Sequence, residues 1–325
     1  LKEKRLQMGV QYSKMLLQLL LVAFFIAATK TEPPMSKPSC RQKCGNVSIP
    51  FPFGMTEACS LNTSFLITCN QNLSPPTPFL NISGFNLFWN NSDHGQIISV
   101  LDISLEYGQL NISLPVARYC LNSRTGEVNE TNLMTPMREL WFDLRPFHLS
   151  SKQNKLIVLG ADAVGVVYNL EPLGIIDPTS ACMSLYARRA PAPDESCSGT
   201  LCCETLIQQR LSEFIYTSST DIFHRNSTKQ LVSYPCSYTF LVKDGAYKFS
   251  RTDLSNFSSN MSNTFPVVAD WAVGTHTCQD AVKNASSYLC KSNYSECRNA
   301  EVGPGYHCKC SSGYWGNPYL PNGCE

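Results

Sequence analysis

Between Cys40 and Cys120 the apolar residues fall in short runs that alternate with polar ones, at Ser64–Thr68, Gly84–Trp89, Gln96–Ile103 and Leu110–Leu114. A period of two over four to eight residues, bounded by Asn, Ser, Pro and Gly, predicts half-buried antiparallel strands. The stretch Glu106-Tyr-Gly-Gln109 reads as the turn between two of them, so that Ile and Leu side chains share one face. Ser74-Pro-Pro-Thr-Pro78 predicts a stiff extended loop. From Leu121 to Trp271 the same pattern returns at Leu156–Val158, Val164–Tyr168 and Tyr238–Val242, with one helix expected over Thr205–Phe214 and a loop over Ala190–Ser198. The fold class expected is mainly β, in small disulfide-rich lobes.

The N-terminus breaks this pattern. Lys2, Lys4, Arg5 and Lys14 precede an apolar run from Met15 to Ala28 in which Gln18 is the one polar residue. That run is short of the roughly 20 residues a membrane-spanning helix needs, and it ends in small residues, so residues 1–29 predict a cleaved secretory signal peptide. Later stretches fall short as well: Leu156–Leu170 carries Asp162 and is broken by Gly160 and Gly165. The first residue is Leu1 rather than Met, from which an incomplete gene model or a fragment of a longer chain is expected.

Composition fits an oxidising, extracellular compartment. Sixteen cysteines, an even number, predict eight disulfides, and adjacent Cys202 and Cys203 are expected to staple different elements. No metal or cofactor is expected. Cys197, Cys202 and Cys203 lack a Cys-x-x-Cys spacing, and the five histidines are scattered. Glycosylation sequons begin at Asn46, Asn62, Asn72, Asn81, Asn90, Asn111, Asn129, Asn226, Asn256, Asn260, Asn284 and Asn293, which predicts a glycan-covered surface. A formal charge of +1, from 26 basic and 25 acidic residues, excludes the basic field that nucleic acid requires.

The six cysteines from Cys278 to Cys324 are separated by 11, 6, 10, 1 and 13 residues, and Cys308-Lys-Cys310 is followed by Gly313-Tyr314 and Gly316. Spacing alone leaves fifteen connectivities open. The pattern resembles an EGF-like module, and that resemblance implies Cys278 with Cys297, Cys290 with Cys308, and Cys310 with Cys324. The stretch Gly274-Thr-His-Thr277 ahead of the first cysteine has no carboxylate, so calcium binding is not expected.

Cys40-Arg-Gln-Lys-Cys44-Gly-Asn-Val-Ser-Ile-Pro-Phe-Pro-Phe-Gly54, followed by Cys59 and Phe65 to Cys69, resembles the opening of the galacturonan-binding domain of plant wall-associated receptor kinases. The likeness continues through Gly199-Thr-Leu-Cys-Cys203, Cys236–Phe240, Tyr247-Lys-Phe249 and Phe265–Trp271, and it ends in Gly303–Tyr306 and Gly313–Leu320. It implies a galacturonan-binding cysteine-rich domain over residues 40–120, a second cysteine-rich domain of that family over 121–271 and the EGF-like module over 278–324. Gly160-Ala161-Asp162 and Leu185-Tyr186 stand where the family carries cysteines, so one bridge fewer is expected, a loss of about 2 to 4 kcal/mol unless packing compensates.

The function so implied is binding of pectic polysaccharide or oligogalacturonides by a non-enzymatic, extracellular ectodomain at the cell wall or the outer face of the plasma membrane, with other cell-surface proteins as further partners. The family's kinase motifs are absent from these 325 residues, and neither a Gly-x-Ser-x-Gly elbow nor a His-Glu-x-x-His motif points to a hydrolase. A polyuronate calls for Arg or Lys together with aromatic surface. The candidates are Arg41, Lys43, Phe51, Phe53 and Trp89. Residues 40–120 hold only Arg41, Lys43 and Arg118 as bases against four carboxylates, so electrostatic capture gains no support there. The competing reading is a protein-interaction ectodomain without glycan affinity.

Overall fold

The computed structural model describes residues 15, 18, 33–80, 98–121, 139–171, 174–186, 197–220, 234–254, 264–301 and 304–325. Nearly all of the expected signal peptide, the Gly84–Trp89 strand and the sequons at Asn81, Asn90, Asn129, Asn226, Asn256 and Asn260 lie outside them. No helix among the described residues is long and apolar enough to cross a membrane.

Strands β1 (Lys43–Cys44) and β2 (Val47–Ser48) form a small hairpin. A six-stranded antiparallel sheet follows, whose first four strands are β3 (Ile67–Asn70), β4 (Thr77–Leu80), β5 (Ile98–Ser104) and β6 (Gln109–Pro115). Alternation along β6 buries Leu110, Ile112 and Leu114 and turns Gln109, Asn111 and Ser113 outward, as a strand with one covered face requires. The β5–β6 turn includes Gly108 at φ 63°, a left-handed conformation that glycine adopts without steric cost. Ser64 belongs to a 3-10 turn, Thr63–Phe65, rather than to a strand.

Strand β7 (Ala117–Cys120) leaves this sheet for a four-stranded one with β10 (Asn154–Leu159), β13 (Cys202–Leu206) and β15 (Cys236–Lys243). A second four-stranded sheet contains β8 (Glu139–Asp143), β11 (Ala163–Glu171), β12 (Ile175–Ser184) and β14 (Glu213–Thr220). The two sheets pack together, which is why seven of the eight residues of β15 are buried. They approach closely at Gly165, where a Cβ would come within 2.5 Å of the Val158 side chain. The helix expected over Thr205–Phe214 does not form. Thr205 pairs with Leu156 in the ladder, Phe214 pairs with Phe142, and strand pairing at both ends outweighs the helix-like spacing of the buried Ile207 and Leu211.

The chain then returns to the first sheet. Strand β16 (Thr264–Asp270) pairs along β6 on one side and with β9 (His148–Leu149) on the other. The border expected at residue 120 therefore divides the sequence but not the sheets. Buried Asn154 locks the junction: its Nδ2 donates to Ser150 O and Val268 O, and its Oδ1 accepts from Val268 N. The C-terminal unit adds helix α1 (Cys278–Ala281) and a hairpin of β17 (Ser295–Asn299) and β18 (Tyr306–Cys310).

All sixteen cysteines are paired. Cys40 bridges Cys59, Cys44 bridges Cys69 and Cys120 bridges Cys236. Cys203 reaches Cys182 on β12, whereas its neighbour Cys202 reaches Cys197, because successive strand residues point to opposite faces. In the C-terminal unit Cys278 pairs with Cys297, Cys290 with Cys308 and Cys310 with Cys324. Where the family's cysteines are replaced, hydrogen bonds join the same two segments: Ser184 Oγ donates to Gly160 O and Tyr186 N to Asp162 Oδ1.

Candidate functional site

The aromatic pair of the opening motif is structural. Phe53 is 1% exposed, and its ring meets Phe65, Phe147 and Trp271 at centroid distances of 5.0, 6.2 and 5.3 Å. Such a ring has no free face for a sugar, so the stacking role expected of it is corrected to a core role. Phe51 is also buried, with Lys37 Nζ 4.5 Å from its ring centroid. The same ammonium donates to Ala58 O and Ser60 O. Arg41 and Lys43 are exposed at the β1–β2 hairpin, whereas Trp89 lies outside the described residues.

The motif also seats the C-terminal unit. Asn317, fully buried, donates from Nδ2 to Met35 O and Phe51 O, both at 2.7 Å, and its Oδ1 accepts from Tyr319 N. Tyr319 packs against Trp271, and its hydroxyl accepts from Cys308 N. Burial raises the Tyr319 phenol, so it stays neutral. Val273 and Tyr306 exchange backbone hydrogen bonds. One apolar core thus runs from Ile49 and Phe53 to Tyr306, Tyr319 and Leu320.

A cleft of about 750 Å³ opens where the C-terminal hairpin meets the β6–β16–β9 edge. Its floor is Asp270 on β16, flanked in register by Gln109 on β6 and His148 on β9. Gln109 Nε2 donates to Asp270 Oδ1 at 3.0 Å. Arg210 lies 3.2 Å from Asp270 Oδ2, an ion pair that does not satisfy that buried oxygen with an aligned hydrogen bond. Burial raises the Asp270 carboxyl above its ordinary value, although Gln109 and Arg210 oppose the shift.

Across the cleft, Glu301 accepts from Lys152 Nζ at 2.8 Å and from Arg210 Nη2 at 2.9 Å. The Lys152 hydrogen bond and the positive charge nearby hold Glu301 below the usual carboxylate range. Lys309 donates to Glu106 at 3.0 Å, making a second ionic tie between hairpin and sheet. His148 and His307 are both pushed below their ordinary value, chiefly by burial, with Arg210 adding to the effect on His148 and Arg298 to that on His307. Tyr107, 66% exposed, stands at the rim.

Arg41, Lys43, Phe51 and Phe53, the four expected ligand residues that are described, do not line this cleft. Lys152, Arg210, Glu301 and Tyr107 come from distant segments and share no motif. The only local signal was the β5–β6 turn that carries Tyr107. Among the described sequons, Asn46, Asn62, Asn72, Asn284 and Asn293 are exposed and Asn111 is half-buried.

Residues 40–114 match the family described as wall-associated receptor kinase galacturonan-binding. Over 94% of its length the chain is 31% identical to wall-associated receptor kinase 5 of Arabidopsis thaliana, covering 37% of that protein. Wall-associated receptor kinases 2 and 1 of the same organism are also 31% identical, over 93% and 94% of this chain and 36% and 37% of their own lengths. The chain thus spans little more than a third of the curated relatives it matches. No solved structure gives a significant match. Along nearly its whole length this chain is a relative of the wall-associated receptor kinases, and its residues 40–114 form a domain of their galacturonan-binding type.

Proposed function

We propose that this chain is the extracellular part of a cell-wall receptor and binds pectic polysaccharide, homogalacturonan or its oligomers, through their carboxylates. The observation that carries this reading is the galacturonan-binding match over residues 40–114. Exposed sequons and complete pairing of the cysteines support an extracellular setting. Charge-assisted hydrogen bonds from Arg and Lys to regularly spaced carboxylates are the recognition expected of such a ligand.

The test is titration calorimetry of the purified glycosylated chain with oligogalacturonides, their methyl esters and neutral glucans. Binding of the free acid that weakens with salt and is lost on esterification is the expected result. No binding, or equal binding of all three, overturns it. A second reading, protein docking without glycan affinity, is favoured by an exposed aromatic group on the C-terminal unit, where Tyr294 and Tyr314 stack at 4.1 Å and Trp315 is also exposed.

A further inference from the structure

The cleft shows, within the molecule itself, which chemistry its cations accept. Lys152 and Arg210 converge on one carboxylate, that of Glu301, which the C-terminal hairpin supplies from its exposed loop. Arg210 is set for this: its side chain is only 14% exposed and is held from behind by Asp270. Lys152 is 72% exposed and comes from the turn between β9 and β10. The Glu301 carboxylate is itself 58% exposed and is held by ion pairs to Lys152 and Arg210; the solvent-exposed pair with Lys152 is worth about 0 to 1 kcal/mol. A ligand that brings its own carboxylate and further contacts can displace it.

We infer that this cleft is the carboxylate-binding site for the pectic ligand and that Glu301 occupies it as an internal competitor. The inference rests on the proposed function and deepens it, giving the ligand a place away from the β1–β2 hairpin. A uronate carboxylate takes the position of Glu301 between Lys152 and Arg210. The ring of Tyr107 offers the sugar an aromatic face at the rim. The cleft volume lies within the roughly 300 to 1,000 Å³ of small-ligand sites, enough for a short oligosaccharide.

With Arg145 set aside, the charges of the lining balance while Glu301 stays in place. The described lining has four cationic side chains, Arg145, Lys152, Arg210 and Arg298, against Glu106, Asp270 and Glu301. Arg145 is engaged by Asp143 and Glu213 outside the cleft. Displacing Glu301 releases Lys152 and half the demand on Arg210, which raises the attraction for an anion only once the internal carboxylate has left. Ligand entry is thereby coupled to the hold of the sheet on the C-terminal hairpin, because Glu301 belongs to that hairpin's loop and its two partners do not.

The experiment compares oligogalacturonide affinity of the full chain with that of Glu301→Gln, Lys152→Ala and Arg41→Ala/Lys43→Ala by calorimetry. The expected result is roughly a three- to tenfold gain for Glu301→Gln, a loss of similar size for Lys152→Ala, and little change for the hairpin pair. A gain cannot arise from misfolding, so Glu301→Gln keeps the outcome decisive. Wild-type binding that neither cleft variant alters overturns this inference and leaves the proposed function standing. Binding lost in Arg41→Ala/Lys43→Ala but kept in Lys152→Ala also overturns it, by placing the site on β1. Failure of both wild type and Glu301→Gln to bind overturns the proposed function together with this inference.

Discussion

The opening motif, Cys44 to Gly54, and the cleft around Asp270 make opposite uses of the same chain. The motif is continuous in sequence and its Ile49–Gly54 half ends up buried, its phenylalanines in the core and its Phe51 carbonyl holding Asn317. The cleft is assembled from the β5–β6 turn, the residues after β9, the segment before β14, the end of β16 and the C-terminal hairpin, and it is largely exposed. A sequence signature can therefore mark the part of a chain that fixes architecture, while a cleft that gathers charged groups lies elsewhere and shares no pattern.

The sharpest way to break this contrast is at Phe53. Phe53→Ala should cost about 3 to 5 kcal/mol, because the cavity would face three other rings, and denaturant titration of the full chain measures it. A loss below about 1 kcal/mol would return the ring to the surface role first expected of it. Next in size is Asn317→Ala, which removes the side-chain donor of the buried Phe51 carbonyl, leaves the Met35 carbonyl with Phe51 N alone, and removes the acceptor of Tyr319 N. About 2 to 4 kcal/mol is expected, read as faster hydrogen exchange confined to residues 278–325 and the segment around Phe51.

Acid sharpens the comparison from the cleft side. His148 and His307 have folded pKa values below the unfolded value near 6.5, so on acidification the unfolded chain takes up these protons first. Their contribution to stability is complete above about pH 6.5 and falls as the pH drops through the gap between the unfolded and folded values. His148 faces Arg210 and Asp270; His307 faces Arg298, Lys309, Glu301 and Asp270. Glu301 adds to the loss at lower pH, since its depressed carboxyl must protonate. Thermal melts of His148→Gln and His307→Gln should show a weaker dependence between neutral and mildly acidic pH, and an unchanged slope would separate the histidines from it. The smallest effect belongs to the β1 hairpin, where Arg41→Ala and Lys43→Ala should each shift stability by less than about 0.5 kcal/mol in the same melts.

The strands of β5, β6, β10, β11 and β15 were legible because period-two alternation and the β5–β6 turn leave a local trace. The segment Thr205–Phe214 was misread because Ile207 and Leu211, four residues apart, imitate a helix face, whereas the hydrogen bonds of Thr205 and Phe214 go to strands far away in the chain. The border at residue 120 looked natural in sequence, but the first sheet is extended by β16, Thr264–Asp270, far downstream of it. Glu301 carries no local sign of its role, since a carboxylate in a hairpin loop looks like any solvated charge until Lys152 and Arg210 are brought beside it.

By itself the sequence determined that this chain is mainly β, stapled by an even set of cysteines and related to wall-associated receptor kinases, because pattern, cysteine number and motif are local quantities. Tertiary structure alone decided that the C-terminal unit is seated on the opening motif and that separated charges meet over Asp270. Those contacts depend on how β16 returns to β6, and a non-local pairing of that kind places side chains together without leaving a spacing in the chain to announce it.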